Sequence, residues 1–463
     1  MATNGDSKHP ASLTRLAARR IRQIATEELS QQLYDKATFC IIDWLGAVHT
    51  GLLLPWKDAL VKYAKLNRGI AEAYAWGIDG DVSTETAAFV NATLAHSAIR
   101  DDMHLEACSH IGSIVISAAL ALAQRERWSG EKLLRAIIAG YEMAALLGSA
   151  IRHRGNFNAH FRPSGLIGAF GVTAAAIAAE GVEESVAVNA LGFAVSMAAG
   201  TNEWAWSGGT EIFVEMGVAS RSGIASFDLA NAGFESSDTA LEGKDGFFNA
   251  LGVGPAGAED FKDWIEKSPI GKGVLDVRFK PVAGCNYAQT TSAVAVRIYH
   301  KHKLGEIDRI KITATTQAVK YPGCDNAGPL NTIQNTKMSI QFGVCAALSF
   351  GKLDEDIFKC CDDKQVNELI SKCELNASSE YDKMYVRGLQ PAMVEVTLAD
   401  GTVLRESAED VPWLTESDVE ARSISEQARD ISKDAAVKVV EACKGLRDLA
   451  QGDELLVHLR SRR

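Results

Sequence analysis

The sequence has no clustered run of lysine and arginine, no paired cysteine spacing, no internal repeat and no low-complexity tract. Each absence removes a class of function. With 48 basic against 59 acidic residues the formal net charge is -11, which repels phosphate backbones and sets nucleic acid aside as a partner. An anionic small molecule stays open, because a few arginines converging in one cleft outweigh a distant acidic surface. The nine cysteines are odd in number and scattered, without the spacings of a disulfide framework or a zinc site, which fits a reducing compartment. No secretory signal is evident, because the first dozen residues are polar. Arg15, Arg19, Arg20 and Arg22 keep helical spacing and run into Glu27 and Glu28, so they read as a first helix rather than a transit peptide. No stretch is apolar enough to span a membrane: residues 163–179 and 185–202 are rich in Ala and Gly, separated by Glu180, Glu183 and Glu184, and fit closely packed buried helices. The expectation is a soluble, cytoplasmic protein with no membrane partner.

What is present is an ordinary globular composition, 47% hydrophobic and 23% charged, in a chain of 463 residues. That length exceeds what one hydrophobic core usually supports, so two cores are expected. Residues 12–254 show helical periodicity almost throughout, as where Leu133, Leu134, Ile137, Ile138, Tyr141, Ala144 and Leu147 form one stripe. Ser12 and Ser129 are placed as helix N-caps. β-rich runs then appear at 274–279, 309–315 and 393–398, the last followed by the turn pair Asp400-Gly401 and a further run at 402–404. Helical patterns at 290–300 and 339–350 lie between these runs, which predicts a sheet covered on one face. From Thr415 the pattern is helical again to Leu459. The fold class expected is mainly α: a large all-α domain built from both chain ends, residues 1–271 and 409–463, with a smaller α+β lid domain inserted at 272–408.

Three polar clusters are candidates for chemistry. Asp101, Asp102, His104, Glu106 and His110 fall within ten residues, just ahead of an apolar helix. A loop entering a helix N-terminus offers free N–H groups and partial positive charge, which suits acid–base chemistry on an anion. A divalent metal site and a solvated loop are the alternatives, although the spacing matches no zinc or EF-hand pattern. Arg152, His153, Arg154, Asn158, His160 and Arg162 form the second cluster. Arginine suits bidentate carboxylate recognition, while Arg152 and Arg154 also suit a helix C-terminus. The third is Lys280, at a strand end before Gly284, Cys285, Asn286 and Tyr287; such a lysine can hold an anion or act as an acid, or lie on the surface. Cys285 reads more simply as a small buried residue. The hexamer at 252–257 matches G-x-G-x-x-G, but no strand precedes it and Pro255 falls where a helix should begin, so it reads as a linker.

Together these segments resemble the MmgE/PrpD family. Ser12–Arg15 is similar to its S-L-T-R opening, and Asp43-Trp44-Leu45-Gly46 through Gly51 to its D-x-L-G element. His96-Ser97 with Asp101-Asp102, and His110-Ile111-Gly112-Ser113, resemble its H-S-x-x-x-D-D and H-P-G-S elements. Ala240-Leu241-Glu242-Gly243 with Gly246-Phe247, and Phe279-Lys280-Pro281, follow in the family's order. The resemblance implies cofactor-free homodimers with a site between a helical domain and a lid, acting on small di- and tricarboxylates by moving a proton next to a carboxylate, with loss of water or carbon dioxide. It implies His110 as the acid–base histidine, Lys280 as the lid lysine and Asp102 as support for the histidine loop, with no metal. The substrate-binding set is then His104, His160, Arg162, Glu215, Tyr287 and Cys285. Departures are concentrated at the usual catalytic positions, where Ile99, Met103, Arg162, Ile212 and Glu215 replace family residues. Fewer cations near Glu215 point to a substrate with fewer carboxylates or an apolar portion, against walls offered by Trp204, Trp206, Phe213 and Met216. The expected reaction is dehydration of a citrate-like or alkylcitrate-type acid. Decarboxylation of a cis-aconitate-type acid, isomerisation or cyclisation of a less charged metabolite, and a non-catalytic binding role are the alternatives.

Overall fold

The computed structural model describes residues 12–153 and 158–456; Arg154 and the end of the expected C-terminal helix lie outside them. The architecture is the mainly α one expected, with two separate hydrophobic clusters. In the first, helix Pro163–Glu180 is the centre, packed by Gly130–Arg152, Ile111–Glu126 and Glu211–Asn231. Small residues set these spacings. A Cβ on Gly171 would lie 2.9 Å from the Gly140 carbonyl, and a Cβ on Gly140 2.9 Å from the Gly171 carbonyl, so the two backbones approach as only glycine permits. Contrary to the reading from sequence, helices Gly130–Arg152 and Pro163–Glu180 are long and apolar enough to cross a membrane, but the most apolar 18-residue stretch of each is 94% buried in the protein interior.

The helix starts placed from sequence are found: Ser12 accepts from the Arg15 amide and Ser129 from the Lys132 amide. The chain returns to the first core through Glu416–Gln427, which packs on Gln31–Gly51. Asp43 fixes that return, taking Arg100 at 2.8 Å and Arg422 at 2.6 Å on the same oxygen. Gly46 leaves room for the junction, since a Cβ there would lie 2.3 Å from a Glu426 carboxylate oxygen. Beyond it come Lys433–Lys444 and two short 3-10 turns rather than a continuous helix.

The second cluster is the α+β lid. Its sheet runs in the order Cys373–Ala377, Ile307–Ala314, Ala392–Leu398, Val403–Ala408. Ile310 pairs in parallel with Cys373 and antiparallel with Val396, which in turn faces Leu404 across the Asp400-Gly401 turn. Alternate residues Ile310, Ile312, Val394 and Val396 are buried, and helices Gln289–Lys301 and Ile340–Phe350 complete that core.

Two sequence expectations change. The run at 274–279 is not a lid strand: Lys272–Leu275 is helical, and only Val277–Arg278 is extended, paired with Met103–His104. Val274, Val277 and Phe279 fill the first core, and Lys36 holds the segment with a bond to the Val277 carbonyl at 2.9 Å and its ammonium over the Phe279 ring. The hexamer at 252–257 is the start of helix Gly254–Lys267, with Pro255 in its first turn, where a missing N–H costs nothing.

Gly130 tests the junction between the chain ends. A Cβ there would lie 1.5 Å from the Leu446 carbonyl oxygen, whereas one on Gly445 meets nothing nearer than 3.8 Å. Gly130→Ala should lower unfolding free energy by about 1–3 kcal/mol in denaturant titration. Gly445→Ala should stay within about 0.5 kcal/mol of the parent.

Candidate active site

Helix Thr84–Ser97 ends at a turn in which Ile99 is forced to φ 52°, a left-handed conformation rare for a β-branched residue. Two lid lysines hold that turn. Lys280 Nζ donates to the Ile99 carbonyl at 2.5 Å, and Lys337 Nζ to the Ala98 carbonyl at 2.8 Å. The turn then delivers Arg100, Asp101 and Asp102, all buried, toward the N-terminus of helix Ile111–Glu126.

Asp101 and Asp102 are neighbours in sequence but occupy opposite environments. Asp101 Oδ2 accepts from Ser113 at 2.5 Å and lies 2.8 Å from His96 Nδ1. Its Oδ1 has no hydrogen-bond partner, yet sits 3.5 Å from His110 Nδ1 and 3.9 Å from Lys280 Nζ. Burial alone would raise the Asp101 pKa, but the hydrogen bond from His96 and the nearby Lys280 ammonium hold it below the ordinary carboxylate range. Asp102 accepts from the Gly112 amide and from the Tyr141 hydroxyl. Burial, with Asp43 and Asp101 nearby, pushes it up to about 7. Gly112 is required for this contact, because a Cβ would fall 2.3 Å from the Tyr141 oxygen and 2.6 Å from Asp102 Oδ2.

The histidines are held neutral. His96 falls to about 4 through burial and the Arg162 and Lys280 cations, against Asp101. Arg162 Nη2 donates to His96 Nε2 at 2.6 Å, so the His96 proton lies on Nδ1, facing Asp101. His110 Nδ1 donates to the Asp102 carbonyl at 2.8 Å, which leaves its Nε2 unprotonated. Burial, with Lys280, His96 and Arg162, holds His110 well below its usual range. Lys280, fully enclosed, is lowered to about 8 by burial, against Asp101.

His110 lines a small cavity of about 30 Å³ with Ile99, Met103, Cys108, Arg162 and Ser164 from the helical body, and Cys285, Asn286, Tyr287, Tyr321 and Met338 from the lid. That volume holds about two waters, less than a carboxylic acid requires. A groove of about 510 Å³ lined by His49, Lys57, Arg68 and Trp76 lies elsewhere, and none of the acid–base cluster reaches it.

The residues singled out in the sequence fall into distinct places. His110, Arg162, Tyr287 and Cys285 line the cavity. Asp102 and Lys280 stand behind its wall. Glu215 pairs with Arg162 at 3.3 Å. His104 does not line the cavity; it is buried in the two-stranded pairing, accepts from the Ala107 amide and is lowered to about 4 by burial. His160 is exposed, its backbone carbonyl accepting from Asn202. Of the expected apolar walls, Trp204 lines the cavity, Phe213 stacks on Trp56, Met216 packs in the body core and Trp206 is exposed. Asp101 belonged to the first polar cluster and His96 to a motif already noted, neither with a role of its own, whereas nothing local marks Lys337.

His96, Asp101 and His110 also present three ligand atoms within 4.8 Å of one another. Both His96 nitrogens are already engaged, and the Arg162 and Lys280 cations supply the charge a metal would bring, so the donor set suits a proton network better than a divalent ion.

A helical body, an α+β lid and a buried histidine–carboxylate network between them define an acid–base enzyme of the lyase class. The chain belongs to the MmgE/PrpD family: residues 15–258 match the MmgE/PrpD N-terminal domain and residues 283–413 the C-terminal domain. It is similar to a cis-aconitate decarboxylase of Homo sapiens, 26% identical over 463 residues, covering 95% of this chain and 92% of that protein. A cis-aconitate decarboxylase of Aspergillus terreus is 22% identical over 432 residues, covering 88% of this chain and 86% of that protein.

The neutral histidines make stability acid-sensitive. Because His104 titrates near 4 when folded and near 6.5 otherwise, the stability it contributes is complete above pH 6.5 and is lost as pH falls toward 4. The loss is on the order of 3 kcal/mol for this group. Asp102, raised when folded, acts with the opposite sign between about 7 and 3.8. His104→Asn, which keeps an acceptor for Ala107, should flatten the acid limb of stability against pH in denaturant titrations from pH 7 to 4.5.

Proposed function

We propose that the protein is a cofactor-free lyase that removes water from a small citrate-like or alkylcitrate-type carboxylic acid, moving a proton next to a carboxylate with His110 as the base. The observation that carries this reading is the arrangement of His110 against Asp101. His110 is neutral, its Nδ1 proton is fixed on the Asp102 carbonyl, and the partnerless Oδ1 of an ionised Asp101 waits 3.5 Å from that nitrogen. When Nε2 takes a proton, the imidazolium gains a carboxylate that it scarcely used before, which favours the charged state formed during reaction. Lys280, largely protonated near pH 7, shares the same carboxylate and keeps Asp101 ionised while His110 is neutral. Tyr287 and Tyr321, whose phenols burial keeps protonated, supply neutral donors in the wall for the departing hydroxyl.

A second reading, loss of carbon dioxide followed by proton return to carbon, is favoured by the names of the relatives. The same histidine would then act after bond cleavage.

Proton NMR in deuterated buffer, with citrate, 2-alkylcitrates and cis-aconitate as substrates, separates the two. Water loss from citrate or a 2-alkylcitrate, with a proton leaving the carbon next to a carboxylate, is expected for the parent, and His110→Ala should slow it by at least about 10²-fold. Carbon dioxide release without water loss would favour the second reading. Undiminished turnover by His110→Ala, or silence across the whole panel, would overturn the role of His110 or the substrate class.

A further inference from the structure

Two loops of the lid share a short pattern, Gly-Cys followed by a small polar residue: Gly284-Cys285-Asn286 and Gly323-Cys324-Asp325. In both, the glycine is left-handed, at φ 100° and 79°, and its bare Cα lets the loop lie against the segment that carries Lys337. A Cβ on Gly284 would fall 3.0 Å from the Lys337 carbonyl oxygen, and one on Gly323 3.4 Å from Met338 Cβ. Backbone hydrogen bonds complete the docking. The Cys285 amide donates to the Lys337 carbonyl at 2.8 Å, and the Cys324 carbonyl accepts from the Ile340 amide at 3.0 Å. Two cysteines 39 residues apart are thereby pinned to one stretch of backbone, and their free thiols meet with the Sγ atoms 3.4 Å apart.

The two thiols differ in surroundings. Cys285 lines the cavity beside His110, whereas Cys324 is fully enclosed behind it. Lys280 Nζ donates to the Gly284 carbonyl at 3.4 Å, which brings a buried ammonium next to Cys285. A hydrogen bond from the Cys324 thiol, with that ammonium nearby, lowers Cys285 from its ordinary range, while burial holds Cys324 well above it. The thiolate is the nucleophilic form, so Cys285 is the attacking member and Cys324 the resolving one. Cys345 and Cys373 also approach, to 3.3 Å, but neither lines the cavity and burial holds the Cys345 thiol protonated.

The geometry points to a modification site: Cys285 and Cys324 form a dithiol that a small hydroperoxide entering the cavity oxidises to a disulfide. A space of about 30 Å³ takes two oxygen atoms of the size of water. The Cys285 thiolate attacks one peroxide oxygen; an S–O bond forms, the O–O bond breaks, and the departing oxygen takes a proton and leaves as water or an alcohol. Cys324 sulfur then attacks the Cys285 sulfenic acid, forming the S–S bond and breaking S–O, and the hydroxyl leaves as water with the Cys324 proton. Two electrons pass from the thiol pair to the peroxide. The sulfurs close from 3.4 Å to about 2.0 Å. That bond removes a thiol from the cavity wall and fixes the loop of Tyr287 to the loop of Tyr321, whose rings lie 5.1 Å apart in the same wall. The site does not depend on which acid the protein acts on.

The test needs no turnover. Full-length protein is treated with hydrogen peroxide, quenched in acid, unfolded with an alkylating agent present and mapped by peptide mass spectrometry. A linked peptide pair joining Cys285 to Cys324 is expected, formed at least about tenfold faster than Cys443 loses its alkylation, since burial pushes that thiol up to about 12. Dithiothreitol should return both thiols. In Cys324→Ser the link cannot form, and dimedone should trap Cys285 as its sulfenic acid. Cys285 and Cys324 still alkylated at a dose that oxidises Cys345, Cys373 or Cys443 would overturn the inference, as would a Cys285 link to any other cysteine. Should Cys324→Ser not fold, the peptide map of the parent decides alone.

Discussion

Two lysines from the lid donate to consecutive carbonyls at the end of one body helix, and the geometry of the site depends on that contact. Lys280 on Ile99 and Lys337 on Ala98 place two ammonium groups at the negative end of helix Thr84–Ser97. The left-handed Ile99 costs about 1–3 kcal/mol. Hydrogen bonds from charged donors contribute about 1.5–3 kcal/mol each, so two of them more than offset the strain. The turn is therefore held where the lid meets the body, and Asp101, two residues on, lies beside the same contact. Glu355 balances Lys337 on the lid side, which leaves Lys280 as the cation shared with the acid–base cluster.

From that turn follows a division of labour between two carboxylates. Asp101 is surrounded by donors and stays charged; Asp102 is buried beside other carboxylates and titrates near 7. Their separation gives one fixed negative charge to stabilise an imidazolium, and one group whose backbone carbonyl fixes the His110 tautomer. The cavity beside this cluster measures about 30 Å³ and lies against the same lid residues.

The two-part fold was legible because helical periodicity, capping serines and the Asp400-Gly401 turn are local signals. Strand Cys373–Ala377 was not, since its residues are half-exposed and carry no alternating pattern; its parallel partner Ile307–Ala314 lies far away in sequence. The run at 274–279 looked like a lid strand because Val274, Val277 and Phe279 are apolar, but they are apolar to fill the body core. The dense polar segment 101–110 pointed to the site, whereas its individual roles did not follow from spacing: His104 is the nearer to the aspartates in sequence, yet it is locked in a strand pairing and His110 lines the cavity. Lys337 carried no local signal, because the Ala98 carbonyl it holds lies 239 residues away in sequence.

Arg162 and Glu215 show how a site can change chemistry without losing its scaffold. An arginine alone beside His96 would place a full charge against a buried histidine pair; Glu215, 3.3 Å away on a neighbouring helix, cancels it. The guanidinium then acts mainly as a directional donor. By occupying His96 Nε2 it sends the His96 proton to Asp101, and by bonding the Ile212 carbonyl it holds itself over the Trp204 ring. With both of its charges spent internally, this pair sets proton positions in the cluster but offers little to a ligand carboxylate.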